Sequence, residues 1–388
     1  MTRDAILSMV LAVTVALALG PALALGAGGG FAGAQDGPVS VDDSAATAPE
    51  CEYPLETTDV TGQKVTVEES PDRIVALQPS DAQTVYEIGA EDRLVGFPIS
   101  DDYTGYLDAG DRTDISQDDG LTVDSETVID LEPDVVLAAN TALFQEGLVD
   151  ELREAGLTVY VYDSASSIED IQQDVLMTGA LVDECEGATN NVDWMDDRMQ
   201  DVEDRLEDTD RPLVYYAMGD GFTPGTGTFQ HEMLERAGFE NVAERAGIEG
   251  WDVISEEVIV EEDVDWIVYD DTWDEPPIEE GVMETTAYQD DQLIVVDSNW
   301  MSQPGPLVVE MIDLMATAHL ETADDEPADD TADDQPIEDD ATDDEEVVTD
   351  DTVVDDEPVA DDAVPGLGPV AGVIAVITGL ALLFVRHR

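Results

Sequence analysis

Side chains that coordinate metals or attack carbonyls are scarce in this sequence: two cysteines and three histidines stand against 94 carboxylates in 388 residues. His231, His319 and His387 are scattered. A bare ion needs several such ligands at fixed geometry, so no metal site is assigned. Acid pairs such as Asp270 and Asp271 carry almost no information in so acidic a chain. The glycine-rich stretch GDGFTPGTG at 219 to 227 lacks the lysine and GK[ST] ending of a phosphate cradle and reads as a loop. No GxSxG, HExxH or CxxC is present, and paired carboxylates for acid–base work cannot be singled out, so no catalytic residue is assigned. What remains is recognition chemistry. Gln78, Pro79, Ser80 and Asn140, with the rings of Tyr103, Phe229, Trp251, Trp273 and Trp300, form an aromatic, uncharged set. Such a set suits a bulky, roughly neutral ligand with a flat face.

Thirteen basic residues against 94 acids leave a formal net charge of -81. Phosphate backbones are bound through Lys and Arg, so this balance excludes a nucleic-acid role. Lys64 is the only lysine, and the carboxylates run through the body as well as the tail. That is a surface kept hydrated in very high salt, as in an extreme halophile. Screening lengths fall from about 10 Å at 0.1 M to about 3 Å at 1 M salt. The melting temperature is therefore expected to rise steeply between dilute buffer and molar salt; a flat profile in a thermal scan would contradict this.

The elements that must position the aromatic set lie between two targeting ends. Residues 1 to 34 place Arg3 before ILSMVLAVTVALALG and end in Ala32, Gly33 and Ala34, the order of a secretory signal peptide; a retained anchor helix is the alternative. A linker follows over 35 to 56. Residues 321 to 363 are Asp, Glu, Thr, Ala and Pro with almost no large apolar side chain, an acidic stalk that gains too little from burial to order itself. Residues 364 to 388 hold an apolar span long enough for one bilayer crossing, with Arg386 and Arg388 on the cytoplasmic side. Cys51 and Cys185 are an even pair in an exported chain and are read as a disulfide, with two free thiols the alternative.

The body alternates short β-branched runs with helix-like stretches, the pattern of parallel α/β layers. Buried strands are expected at 74–77, 135–139 and 159–162, and again at 213–217, 266–269 and 293–296. The two sets repeat. DSETVIDLEPDVVLAAN at 124 to 140 aligns without a gap on SEEVIVEEDVDWIVYDD at 255 to 271, superposing Glu126 on Glu257 and Asp134 on Asp265. Residues 86 to 96 and 234 to 244 match as a helix closed by glycine. Between the sets, residues 167 to 207 carry one apolar stripe at alternating three and four spacing, predicting a single long helix, with Gly187 as a candidate bend. The fold expected is α/β: a lobe over 57–166, a spine helix over 167–207 and a second lobe of similar topology over 208–320, with a ligand cleft between the lobes.

Four segments, DVTGQKVTVEESPDRIVALQPSDAQTVYEIGAEDRLVG, EPDVVLAAN, GTFQHEMLERAGFENVA and VDSNWMSQPGPLVVEMIDLMA, stand in an order that resembles the class III solute-binding proteins of ABC importers. The resemblance covers about residues 57 to 320. It implies no enzyme and no cofactor but a transported ligand, a corrinoid such as cobalamin, with a ferric hydroxamate siderophore or haem as alternatives. It also implies a permease with a cytoplasmic ATPase as partners, and permease docking through one glutamate per lobe, Glu126 and Glu257. A monomer is expected. The C-terminal end resembles the PGF-CTERM sorting signal of haloarchaeal surface proteins, with Pro365, Gly366 and Leu367 as the tripeptide and Leu where Phe is usual. That places the protein on the outer face of the cell membrane, held by a retained helix or by lipid after archaeosortase processing. A structural cell-surface protein is the remoter reading.

Overall fold

The computed structural model describes residues 51–323. The signal peptide, most of the linker, the acidic stalk beyond residue 323 and the C-terminal anchor lie outside them. Among the described residues no helix is long and apolar enough to cross a membrane.

The N-terminal lobe opens with an antiparallel pair, β1 (Leu55–Thr58) and β2 (Lys64–Val67). It continues through β3 (Ile74–Ala76), α1 (Pro79–Glu87), β4 (Leu94–Phe97), β5 (Thr113–Asp114), α2 (Ser125–Asp130), β6 (Val135–Ala138), α3 (Leu148–Glu154) and β7 (Val159–Val161). Two helices, α4 (Ile168–Val182) and α5 (Cys185–Arg205), lead to the second lobe. There β8 (Leu213–Tyr216), β9 (Phe222–Pro224), α6 (Phe229–Arg236), β10 (Glu240–Asn241), α7 (Val242–Arg245), β11 (Trp251–Val253), α8 (Glu256–Glu262) and β12 (Trp266–Asp270) follow. The described chain ends with α9 (Thr286–Gln289), β13 (Leu293–Val296), α10 (Ser298–Ser302) and α11 (Val308–Ala323).

Each lobe is built on one parallel sheet, ordered β5-β4-β3-β6-β7 in the first and β10-β8-β12-β13 in the second. Both sheets are buried on two faces, which is why their strands read as continuous apolar runs. Along β3, Ile74 and Ala76 enter one core while Val75 and Leu77 enter the other. Along β8, Val214 and Tyr216 face α6 and α11 while Leu213, Tyr215 and Ala217 face the opposite layer. All six expected strands are present. Within the two parallel sheets β4, β5 and β10 were not expected, nor were the antiparallel strands β1, β2, β9 and β11.

The repeat has a physical cause at each matched position. Glu126 and Glu257 are the second residues of α2 and α8, behind the capping side chains of Asp124 and Ser255. Val128 and Ile259 are the fully buried residues of those helices. Glu132 and Asp263 end them in the left-handed region, at φ 45° and 49°. Asp134 and Asp265 then accept backbone N–H groups from the first strand of their own sheet, Arg73 at 2.9 Å and Leu213 at 2.7 Å.

The spine departs from expectation. It is not one helix over 167–207 but an antiparallel pair, reversed at Asp183, whose φ is 60°. Gln172 and Asp196, on opposite sides of the turn, hydrogen-bond at 2.6 Å. Both helices cross both cores: Ile168 and Ile171 of α4 and Met195 and Val202 of α5 enter the second lobe, while Val175, Leu181 and Ala188 enter the first. Gly187 is not the bend. It lies where α5 meets the end of α1, and a Cβ there would collide with the Ile88 carbonyl. The reversal is pinned by the Cys51–Cys185 disulfide, with Cα atoms 6.0 Å apart, and by Arg93, which holds the Val182 carbonyl and the Glu184 carboxylate. Residues 51 to 56, expected as linker, are thereby part of the fold, and Tyr53 donates to the Ala180 carbonyl at 2.7 Å.

Candidate functional site

In open parallel sheets, binding loops gather at the carboxyl ends of the strands. The exposed large aromatic rings among the described residues are Tyr106, Phe144, Phe222, Trp251 and Trp273. Each lies in a segment that follows such an end or pairs with one. Tyr106 is in the loop after β4. Phe144, 82% exposed, closes a 3-10 turn at Asn140–Phe144 after β6. Phe222 is on β9, after β8, and Trp251 pairs beside it on β11. Trp273 follows β12, its ring lying on Gly219, whose φ of 94° and 3.3 Å approach leave no comfortable room for a side chain.

Of the residues chosen from sequence, Trp251 and Trp273 are exposed at 43% and 38%, while Gln78, Tyr103 and Asn140 are half-buried in strand-end loops. Pro79 and Ser80 open α1 and are buried. Phe229 is a correction. It is 4% exposed and packs in the core of the second lobe, because a ring at the first position of α6, behind the Thr228 cap, points inward. Trp300 is half-buried against that core, edge-on to Tyr106 at 6.3 Å. Its buried indole Nε1 has no acceptor.

A polar chain joins the lobes beside these rings. Fully buried Gln83 of α1 donates to the Tyr106 hydroxyl at 2.9 Å, which donates to Gln303 Oε1 at 3.0 Å. Gln303 Nε2 donates to the Tyr103 carbonyl at 3.0 Å, and Leu307 N–H donates back to Gln83 Oε1 at 3.2 Å. Burial pushes the Tyr106 phenol up to about 12, so it stays a neutral donor and a poor metal ligand. Sequence reasoning missed Gln83, Tyr106, Gln303 and Phe144. Their partners are up to 224 residues away, and no local pattern marks them.

The one basic residue of these loops is Arg112, in the loop after β4. All nine arginines of the described residues bond to carbonyls or carboxylates of the fold itself. Arg112 donates to the Glu91 carbonyl at 2.6 Å and lies over the Tyr86 ring.

His231, Glu235 and Glu244 bring three potential ligand atoms within 4.8 Å. The surrounding bonds argue against an ion there. The Asn241 amide is oriented by the Pro224 carbonyl at 2.8 Å and the Ala243 N–H at 2.9 Å, so its NH2 faces His231 Nδ1. Nδ1 must then accept, and the ring proton sits on Nε2, 3.4 Å from Glu235. No imidazole lone pair is left for a metal.

Residues 74–293 match the sequence model of the periplasmic binding protein family. A cobalamin-binding protein of Halobacterium salinarum is 35% identical over 279 residues, covering 69% of this chain and 74% of that protein. An uncharacterized ABC transporter substrate-binding lipoprotein of Bacillus subtilis, YvrC, is 26% identical over 72% of this chain and 90% of its own length. Among solved structures, a possible iron-binding solute-binding protein of Staphylococcus epidermidis superposes with a TM-score of 0.56 at 22% identity, over 65% of this chain and 99% of that one. Its likeness speaks for the two-lobed fold alone. With more than half of its length under the family model, and a relative above 30% identity along two thirds of it, the chain belongs to the periplasmic binding protein family.

Proposed function

We propose that this protein is the substrate-binding subunit of an ABC importer and that its cargo is a corrinoid. The observation that carries the reading is the cluster of exposed aromatic rings at the strand carboxyl ends of both sheets, with no arginine or lysine among them. Flat rings bind the face of a large macrocycle through apolar area and stacking. An anionic ferric siderophore calls for basic partners, and here every arginine of the described residues is engaged elsewhere. Haem calls for an axial ligand, and His231 is tied to Asn241. The cobalamin-binding relative points the same way.

In this reading Trp251, Trp273 and Trp300, with Tyr103, Gln78, Pro79, Ser80 and Asn140, bound the ligand, joined by Phe144 and Phe222. The protein works as a monomer at the outer face of the membrane of a halophilic archaeon, held by its C-terminal segment. It hands the ligand to a permease whose energy comes from a separate ATPase.

The test is a titration of the full chain with cyanocobalamin in molar salt, following tryptophan fluorescence. Saturable quenching at micromolar affinity or tighter is expected. Trp273→Ala should weaken it by about tenfold, the size of one lost aromatic contact. A folded protein that ignores cyanocobalamin but binds a neutral ferric hydroxamate would replace the ligand while keeping the importer role.

A further inference from the structure

The hydroxyl of Tyr106 is engaged both as donor and as acceptor, while its ring stays exposed beside Trp300. Backbone groups fix the direction of each bond. Gln83, fully buried on α1, takes the Leu307 N–H on its Oε1 at 3.2 Å, so its Nε2 must face Tyr106, at 2.9 Å. Gln303 gives its Nε2 to the Tyr103 carbonyl at 3.0 Å and to Asn299 Oδ1 at 2.9 Å, so its Oε1 must face Tyr106, at 3.0 Å. The phenol oxygen therefore accepts from Gln83, and its proton goes to Gln303. The two amides come from different lobes, Gln83 from the first and Gln303 from the turn between α10 and α11 of the second. Burial acts in the same direction and pushes the Tyr106 phenol up to about 12. Tyr103, the other phenol of this loop, is pushed up by burial and then by the charges of Asp102 and Asp119.

We propose, on the corrinoid reading of this site, that Gln303 is a specificity-determining residue: with Gln83 setting the direction, it holds the proton on Tyr106, so the site offers a macrocycle an aromatic face and refuses one whose ferric iron seeks an axial ligand. Tyrosine binds haem iron through its oxygen as a phenolate. Ligation here would send the Tyr106 proton to solvent and turn an oxygen lone pair onto the iron. Gln303 Oε1 would then face a second oxygen with no proton between them. It could not turn away without leaving the Tyr103 carbonyl without its donor. Cyanocobalamin, whose cobalt carries axial ligands of its own, asks only for the ring face. The preference thus comes from a penalty on the wrong ligand rather than from an added contact to the right one.

Spectra and affinities of the full chain in molar salt decide it, with cyanocobalamin and ferric protoporphyrin as probes. Wild type should bind cyanocobalamin and show no phenolate-to-iron charge-transfer band with the ferric porphyrin. Gln303→Met and the smaller Gln303→Ala remove the acceptor; each should produce the band and tighten ferric porphyrin binding by about tenfold. The band should vanish when Tyr106→Phe is added to either. Gln303→Glu restores an acceptor but not the donor, and should restore the refusal, which a mere loosening between the lobes would not do. Without any ligand, the Tyr106 phenol should ionise about one pH unit lower in Gln303→Met than in wild type, the equivalent of one lost hydrogen bond to its neutral form. In the wild type itself, the Tyr106 hydroxyl proton should be protected from exchange. A band in the wild type, no band in either variant, or a rapidly exchanging Tyr106 hydroxyl overturns the proposal. Failure of cyanocobalamin to bind would count against the corrinoid reading, while the band and the phenol titration would still decide what Gln303 does.

Discussion

Loss of the Cys51–Cys185 bond is expected to cost the N-terminal lobe about 5 kcal/mol, because the bond closes a loop of 134 residues whose unfolded ensemble it restricts. The loop spans β1 to the start of α5, so it encloses the whole first sheet and none of the second. The damage should therefore be local. In urea unfolding with molar salt, Cys51→Ala, Cys185→Ala and the reduced wild type should share one midpoint, lower than the oxidised protein by roughly 2 M. Amides of β3 and β6 should lose protection, whereas those of β8 and β12 keep theirs. The tip of the α4–α5 pair would still hold the Tyr53 and Arg93 contacts, so the native structure survives at low denaturant. Variants that unfold within about 1 kcal/mol of the wild type would show that the bond is a passive staple, its entropy offset by structure retained when unfolded.

Most of this architecture was legible because the lobes are duplicated and their sheets are buried on both faces. The six expected strands stand out as apolar runs, and the repeat is visible because Asp134 and Asp265 perform one task, each tying a strand start to its neighbour. The short strands β5 and β10 have two residues each, too few to show any period. The spine was misread for a specific reason. The apolar stripe steps from Val182 to Cys185 by three, as it would within one helix, so a reversal at Asp183 leaves the spacing undisturbed. Nothing but an aspartate able to adopt positive φ marks the turn. At the site, Trp273 was chosen for its place directly after a strand and Trp251 as a loop residue, and both rings are exposed. Phe229 was wrongly included because a helix can start with a ring facing the core, and spacing alone does not give its direction. The Gln83–Tyr106–Gln303 chain was beyond reach, since its meaning exists only once the lobes are packed together.

Reversing the charge at Glu126 or Glu257 is expected to abolish uptake while leaving ligand affinity and melting temperature nearly unchanged. A helix that precedes a strand in a parallel layer starts at the carboxyl edge of the sheet, so the second residues of α2 and α8 lie at the edge where the aromatic rings are exposed. Both glutamates are exposed, and among the described residues neither is held in an ion pair. A permease that grips one glutamate per lobe would therefore face the ligand mouth directly. Such contacts, when reversed in sign, cost several kcal/mol at an interface, enough to lower occupancy more than a hundredfold. Folding should hardly notice, because an acid in the first helical turn contributes about 0.3 to 1 kcal/mol through the helix dipole. Glu261→Arg is the control: it sits at the far end of α8, is equally exposed, and should transport normally. Uptake of labelled cyanocobalamin by cells carrying each variant separates the cases. Normal transport by Glu126→Arg and Glu257→Arg would remove the docking role from both residues; loss of transport in the control as well would point to surface charge in general rather than to two paired contacts.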